Sequence, residues 1–172
     1  MGLLSTLFGS KPVIPEVALS IEMDLGSFKC GRTALGERPK PSDPYAAYFD
    51  ANGLASFEKS GVEIGIEKGV LDCVLITLAH FSGSFARNGS GISISTQTTP
   101  EEIISQFGDP YWRDTDDDET ILFYEYQKGR VELQFEFSDK RHLSAITLSR
   151  DGVLSEADQR KAYRVTKNWP PR

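Results

Sequence analysis

Residues 107 to 120 read FGDPYWRDTDDDET, with five acids in the six positions from Asp114 to Glu119. Carboxylates this dense can hold a cation, face solvent idly, or grip a basic partner. Asp114, Asp116 and Asp118 have the one-three-five spacing of a calcium loop, but Glu119 stands where the central turn needs glycine. Glu125, at position twelve, falls inside a strand pattern. The calcium geometry is therefore unsupported, and no metal is expected. Tyr111 and Trp112 precede the acids and read as exposed. Aromatic anchors beside charge are what interface hot spots use. The expected partner-binding residues are Tyr111, Trp112, Asp114, Asp116, Asp117, Asp118 and Glu119.

Other chemistry is thinner. The chain has no GxSxG, phosphate-binding loop, HExxH or paired CxxC. Cys30 and Cys73 are 43 positions apart with no histidine nearby, which argues against zinc. Cys73 lies in an apolar run without an activating neighbour, so a nucleophilic pair with His142 is disfavoured. His80 and His142 both fall at strand ends. Glu63 and Glu132 recur at one repeat position and could form a carboxylate pair. A glutamate alternating with valine and leucine usually marks the solvent face of a strand. No catalytic residue and no cofactor are expected.

The elements that carry these residues form a weak internal repeat. Val62-Glu63 matches Val131-Glu132, and Ile76-Thr77-Leu78 matches Ile146-Thr147-Leu148. Gly36 precedes Val62 by 26 residues, and Gly108 precedes Val131 by 23. In the second copy Thr99 caps a helix, Pro100 opens it, Ile103, Ile104 and Phe107 give its apolar stripe, and Gly108 ends it. Three strands follow: Ile121 to Gln127, an alternating RVELQFEF, and HLSAITL. The first copy ends in the same meander, but GRTALGERPKPSDP leaves its helix short or missing. SGSFARNGSG, residues 82 to 91, reads as a loop between the copies, and Asn88-Gly89-Ser90 is a glycosylation triplet in form only. Ser155 should cap a last helix over EADQRKAYRV, with Trp169 pinning the tail to the body.

The expected fold is α+β. Two tandem helix-plus-antiparallel-meander units, about 28–80 and 90–150, share a mainly antiparallel sheet core, and residues 153–172 form a C-terminal helix and tail. At 172 residues one domain is expected. MGLLSTLFGS has no basic leader or cleavage site, and its match to a myristoylation pattern at Gly2 and Thr6 is weak. A short apolar turn docked on the core is expected there. No apolar run is long enough to span a bilayer, and with no export signal the expected location is the cytoplasm, with reduced thiols. The formal net charge of −6 disfavours nucleic acid as a direct ligand and suits a basic protein partner.

The order TTPEEIISQFGDP, YEYQKGRVELQFEF and LSAITL resembles bacterial immunity proteins encoded beside polymorphic or type VI secreted toxins. The helix, LG/FG, strand, GVE and ITL order also resembles the tandem units of the beta-lactamase inhibitor protein-like fold, over about residues 28 to 148. The resemblance implies a cytoplasmic protein that occludes a cognate toxin domain and has no catalytic residues of its own. A nuclease toxin, basic because it must bind nucleic acid, fits an acidic inhibitor. A small-ligand or calcium-binding module is the alternative.

Overall fold

The computed structural model describes residues 18–116 and 118–171. The expectations for the N-terminal residues, and for Asp117 in the acidic loop, lie outside the described residues.

The chain is mostly β, in two antiparallel-rich sheets with few helices. The larger sheet has seven strands. Three are the expected first meander: β4 (Leu54–Phe57), β5 (Val62–Glu67) and β6 (Val70–Thr77). The others are β9 (Trp112–Thr115), β10 (Thr120–Tyr126), β11 (Val131–Phe137) and β12 (Leu143–Arg150). The order is β4-β5-β6-β12-β11-β10-β9, all antiparallel. The two meanders meet at the centre, where the repeated Ile76 and Ile146 face each other across β6 and β12.

Alternation gives this sheet its inner face. Val62, Ile64, Val74, Ile76, Leu122, Val131, Leu133, Phe135, Phe137, Ile146 and Leu148 are all buried in one core. Fully burying a side chain of this size is worth roughly 1.5–3 kcal/mol against leaving it in water. Helix α1 (Pro100–Phe107) lies on that face: Phe107 packs 5.2 Å from Phe135 and 6.0 Å from Tyr124, centroid to centroid. Its start follows the sequence expectation. The Thr99 side chain accepts from the Glu102 N–H, and Glu102 reaches back to the Thr99 N–H at 2.8 Å.

The second sheet corrects the expected loop at residues 82–91. It has the order β3-β2-β1-β7-β8, built from β1 (Glu22–Asp24), β2 (Lys29–Cys30), β3 (Thr33–Ala34), β7 (Ser84–Arg87) and β8 (Ser90–Ile92). Phe85 and Ala86 are buried, which the Gly/Ser-rich composition concealed. Asn88-Gly89 is the two-residue turn of the β7–β8 hairpin, with φ of 53° and 79°. Asp24 ties this turn to the β1–β2 turn. Its carboxylate accepts the N–H groups of Gly26, Ser27, Asn88 and Gly89 at 2.7–3.0 Å. Burial pushes its pKa up, but Ser27 and the Asn88 and Gly89 amides outweigh burial and hold it at about 2.

Helix α1 precedes the β9–β12 strands, whereas no helix precedes the β4–β6 meander among the described residues. The C-terminal helix α2 (Ala157–Ala162) is shorter than expected. Ser155 does not cap it, since its hydroxyl donates to the Asp151 carbonyl at 3.0 Å. The helix ends early because Arg164 turns left-handed (φ 53°) and the Val165 N–H returns to the Arg160 carbonyl at 2.9 Å. Among the described residues, no helix is long and apolar enough to cross a membrane.

Candidate functional site

The acids sit at the tip of a hairpin at the free edge of the seven-stranded sheet. They do not form a helix-to-strand loop, because Trp112 to Thr115 add a strand that the sequence pattern did not suggest. Thr115 faces Thr120 with their hydroxyls 3.3 Å apart. The chain then turns on Asp116, whose carboxylate accepts the N–H groups of Asp118 (3.0 Å) and Glu119 (2.9 Å). Those two amides hold the Asp116 carboxyl below its ordinary range. Asp116 and Asp118 are exposed, whereas Asp114 and Glu119 are half-buried.

The half-buried acids are crowded. Burial, then the charge of Asp116, raises the Asp114 pKa, with Arg164 opposing. Burial, then Asp116, with Asp114 adding to them, raises that of Glu119. Asp114 shares the outer face of the sheet with Ile121 and Glu136, its neighbours along one row of register. Burial, then the Glu119 charge, pushes Glu136 up to about 7. Tyr163 stands among these acids and its hydroxyl is pushed up to about 12, by burial first and then by Glu136 and Asp114.

Tyr111 and Trp112 are placed differently from the expected exposed anchors. Both are half-buried, and both are engaged by the chain's own C-terminal segment. The Tyr111 hydroxyl lies 3.0 Å from the Asn168 carbonyl and 3.3 Å from that of Lys167. Trp112 Nε1 donates to the Tyr163 carbonyl at 3.0 Å. The Tyr111 ring meets Trp169 edge-on at 5.8 Å, and the Arg160 guanidinium lies 4.9 Å over Trp169. Trp169 thus pins the tail, as its position after the last helix suggested. The aromatic pair fastens the hairpin to the C-terminal segment, while Asp116 and Asp118 at its tip stay exposed.

The same segment covers the outer face of β10 and β11, and this overturns the expected exposure of Glu132. Leu154 packs with Ile121 and Phe123. Glu132 is fully buried and its carboxylate accepts the N–H groups of Val153 (2.9 Å) and Leu154 (2.8 Å), with Gln134 Nε2 as a further donor. Its partner is not Glu63, which lies three strands away across β6 and β12, roughly 14 Å at the usual strand spacing. Its partner is Glu125, directly opposite in the β10–β11 register. Neither Glu125 carboxyl oxygen has a hydrogen-bond partner of good geometry. Burial, then the closeness and charge of Glu132, pushes Glu125 up to about 10, with Arg160 opposing. Glu125 therefore keeps its proton at neutral pH beside Glu132. Glu132 clamps the C-terminal segment to the sheet. A hairpin signal did exist in the sequence, since Glu125 and Glu132 stand at mirror positions about YQKGRV, but nothing there showed what would cover them.

The other candidates are dispersed. Cys30 and Cys73 are free, and burial pushes both thiols up, away from reactivity. Cys73 pairs with Ser149, about 20 Å along β12 from His142, whose Nδ1 is engaged by Asp139. Among the described residues, no three His, Cys, Asp or Glu side chains are grouped as metal ligands would be.

No family model matches the chain, and no curated protein matches it. Among solved structures it is similar to the crystal structure of a DUF4309 family protein (YjgB) from Bacillus subtilis subsp. subtilis str. 168. The identity is 18%, over 67% of this chain and 72% of that one, with a TM-score of 0.36.

Proposed function

We propose that this is an immunity protein that binds a cognate secreted toxin domain and neutralises it by covering its active site. The observation that carries the reading is the crowded acidic tip of the β9–β10 hairpin. Its half-buried carboxyls, Asp114 and Glu119, are raised by burial and by their acidic neighbours, so the patch is electrostatically unsatisfied in the free protein. A basic surface docking there relieves that repulsion, which gives both fast encounter and charge complementarity. The net charge of −6 adds a long-range attraction of the same sign. A nuclease toxin presents such a basic surface. The two meanders joined at Ile76 and Ile146 are read here as copies of one unit, in line with the resemblance over residues 28 to 148. The protein works in the cytoplasm and contributes no chemistry of its own.

The test uses the toxin domain encoded beside this gene, with association followed by surface plasmon resonance over a salt series. Asp114→Asn, Asp116→Asn and Asp118→Asn combined should slow association about tenfold or more at low salt and flatten the salt dependence. Because Asp116 also holds its own turn, Asp118→Asn alone is measured beside it and should slow association in the same direction. Association rates that match the unmodified protein in both variants would exclude the hairpin as the contact.

A further inference from the structure

A second site lies at the far end of β10 from the acidic tip, about 20 Å away along the strand. There a cavity of about 460 Å³ opens between the β10–β11 turn, the end of β12 and the β1–β3 layer. Phe28, Leu35 and Val131 form its apolar wall, and Gln127, Arg130 and Arg150 bring donors to it.

Two arginines in one recess of an acidic chain need a reason. Arg150 projects from the core face of β12, opposite Val131, with its stem beside Gly36. Among the described residues its one ion pair is a loose one, 3.8 Å from Asp72. Arg130 has no ion pair or hydrogen bond through its guanidinium among the described residues. Asp151 also lines the recess, and its N–H donates to the Arg130 carbonyl at 3.0 Å, fixing the two turns together. Asp72 offsets Arg150 and Asp151 lines the recess, so the donor left for an anion is Arg130, whose guanidinium no described acid engages.

The backbone around the recess is unusual in the same place. Eight described residues other than glycine have positive φ, and three of them, Phe28 (56°), Gln127 (51°) and Asp151 (43°), line this cavity. A hairpin turn accepts such angles readily in Asn or Gly, but a bulky ring at Phe28 is an outlier. The ring is held there by Tyr126, 5.0 Å away, and the result is the flat apolar wall beside the arginines. Strained residues cluster where a site is pre-shaped.

We propose that this cavity binds a small molecule that carries an oxyanion, a carboxylate or a phosphate, on an apolar body. The oxyanion is held by Arg130 and Arg150, and the apolar body lies against Phe28 and Leu35. The site is independent of the acidic hairpin.

The experiment is a ¹H–¹⁵N titration of the full chain with benzoate, phenyl phosphate and inorganic phosphate. Saturable shifts at the Phe28, Gln127 and Asp151 amides with benzoate or phenyl phosphate are expected, and the tighter of the two identifies the headgroup. Arg130→Gln, an exposed position whose fold the same spectra verify, should weaken that binding about tenfold. Arg130→Lys should restore part of it, and Asp118→Asn should change nothing. The proposal is overturned if none of the three probes saturates these amides or if Arg130→Gln binds as well as the unmodified chain. It is overturned equally if inorganic phosphate binds as tightly as phenyl phosphate.

Discussion

Replacing Glu125 by Gln should stabilise the protein at neutral pH and leave it unchanged in mild acid. Glu125 rises from 4.5 to about 10 on folding, through burial first and then Glu132. A carboxyl with a raised folded pKa holds its proton more tightly in the folded chain. Its favourable contribution is complete below pH 4.5 and is lost steadily as pH rises toward about 10. From pH 4.5 to pH 7 the loss is 2.5 pH units at about 1.4 kcal/mol each, or ~3 kcal/mol. Glu125 keeps part of its surface in water, which reduces this to about 2 kcal/mol. Gln is close in shape, cannot ionise, and carries an N–H donor that faces Glu132 across the β10–β11 register. In urea unfolding, a gain of about 2 kcal/mol moves the midpoint up by about 1 M at pH 7, with no shift at pH 4.5. Glu136, raised to about 7, contributes its own slope to both proteins, so the difference between them reports Glu125. Parallel stability curves from pH 4.5 to pH 8, or a Gln variant weaker at pH 7, would show that the buried carboxyl pair does not exist as described.

Other outcomes follow from the clamp and the turns. Trp169→Ala removes the contacts to Tyr111 and Arg160 and should cost about 1–3 kcal/mol by thermal unfolding, with faster proteolysis between residues 153 and 171. Gly129→Ala should loosen the same tail, because its Cβ would lie 2.5 Å from the Trp169 ring at a φ of 79°, and proteolysis reads this directly. Asp24→Asn should lose about 2 kcal/mol at pH 7. The Asp24 pKa falls from 3.8 to about 2 on folding, so its contribution is present above pH 3.8 and the difference should vanish as pH falls through about 2. Thr99→Ala removes half of the capping box and should cost about 1 kcal/mol in urea unfolding.

What was legible in the sequence was local. Thr99, Pro100 and Glu102 specify a helix start within four residues, and the alternation from Val131 to Phe137 specifies a strand whatever surrounds it. The second sheet was hidden because its strands are two to four residues long and lie among turn residues, so no period can build up. Asn88-Gly89 was the usable signal, a hairpin turn inside a segment whose composition reads as loop. The site was hidden for a different reason. Alternation marks Glu132 for the outer face correctly, but water contact there depends on whether residues 153 to 171 return to cover it. That return rests on contacts between distant positions, from Glu132 to Val153, 21 apart, to Trp112 to Tyr163, 51 apart. The expected exposure of Tyr111 and Trp112 failed for the same reason, because the sequence does not show that the chain's own tail returns to half-bury them.

The central claim is best tested in living cells. The toxin domain that the proposal places beside this gene is expressed together with this protein, or with the Asp114→Asn, Asp116→Asn, Asp118→Asn variant, at matched soluble levels, and growth is followed. The unmodified protein should restore growth and the variant should not. Equal protection by both would contradict the hairpin as the binding surface, and protection by neither would contradict the immunity reading itself.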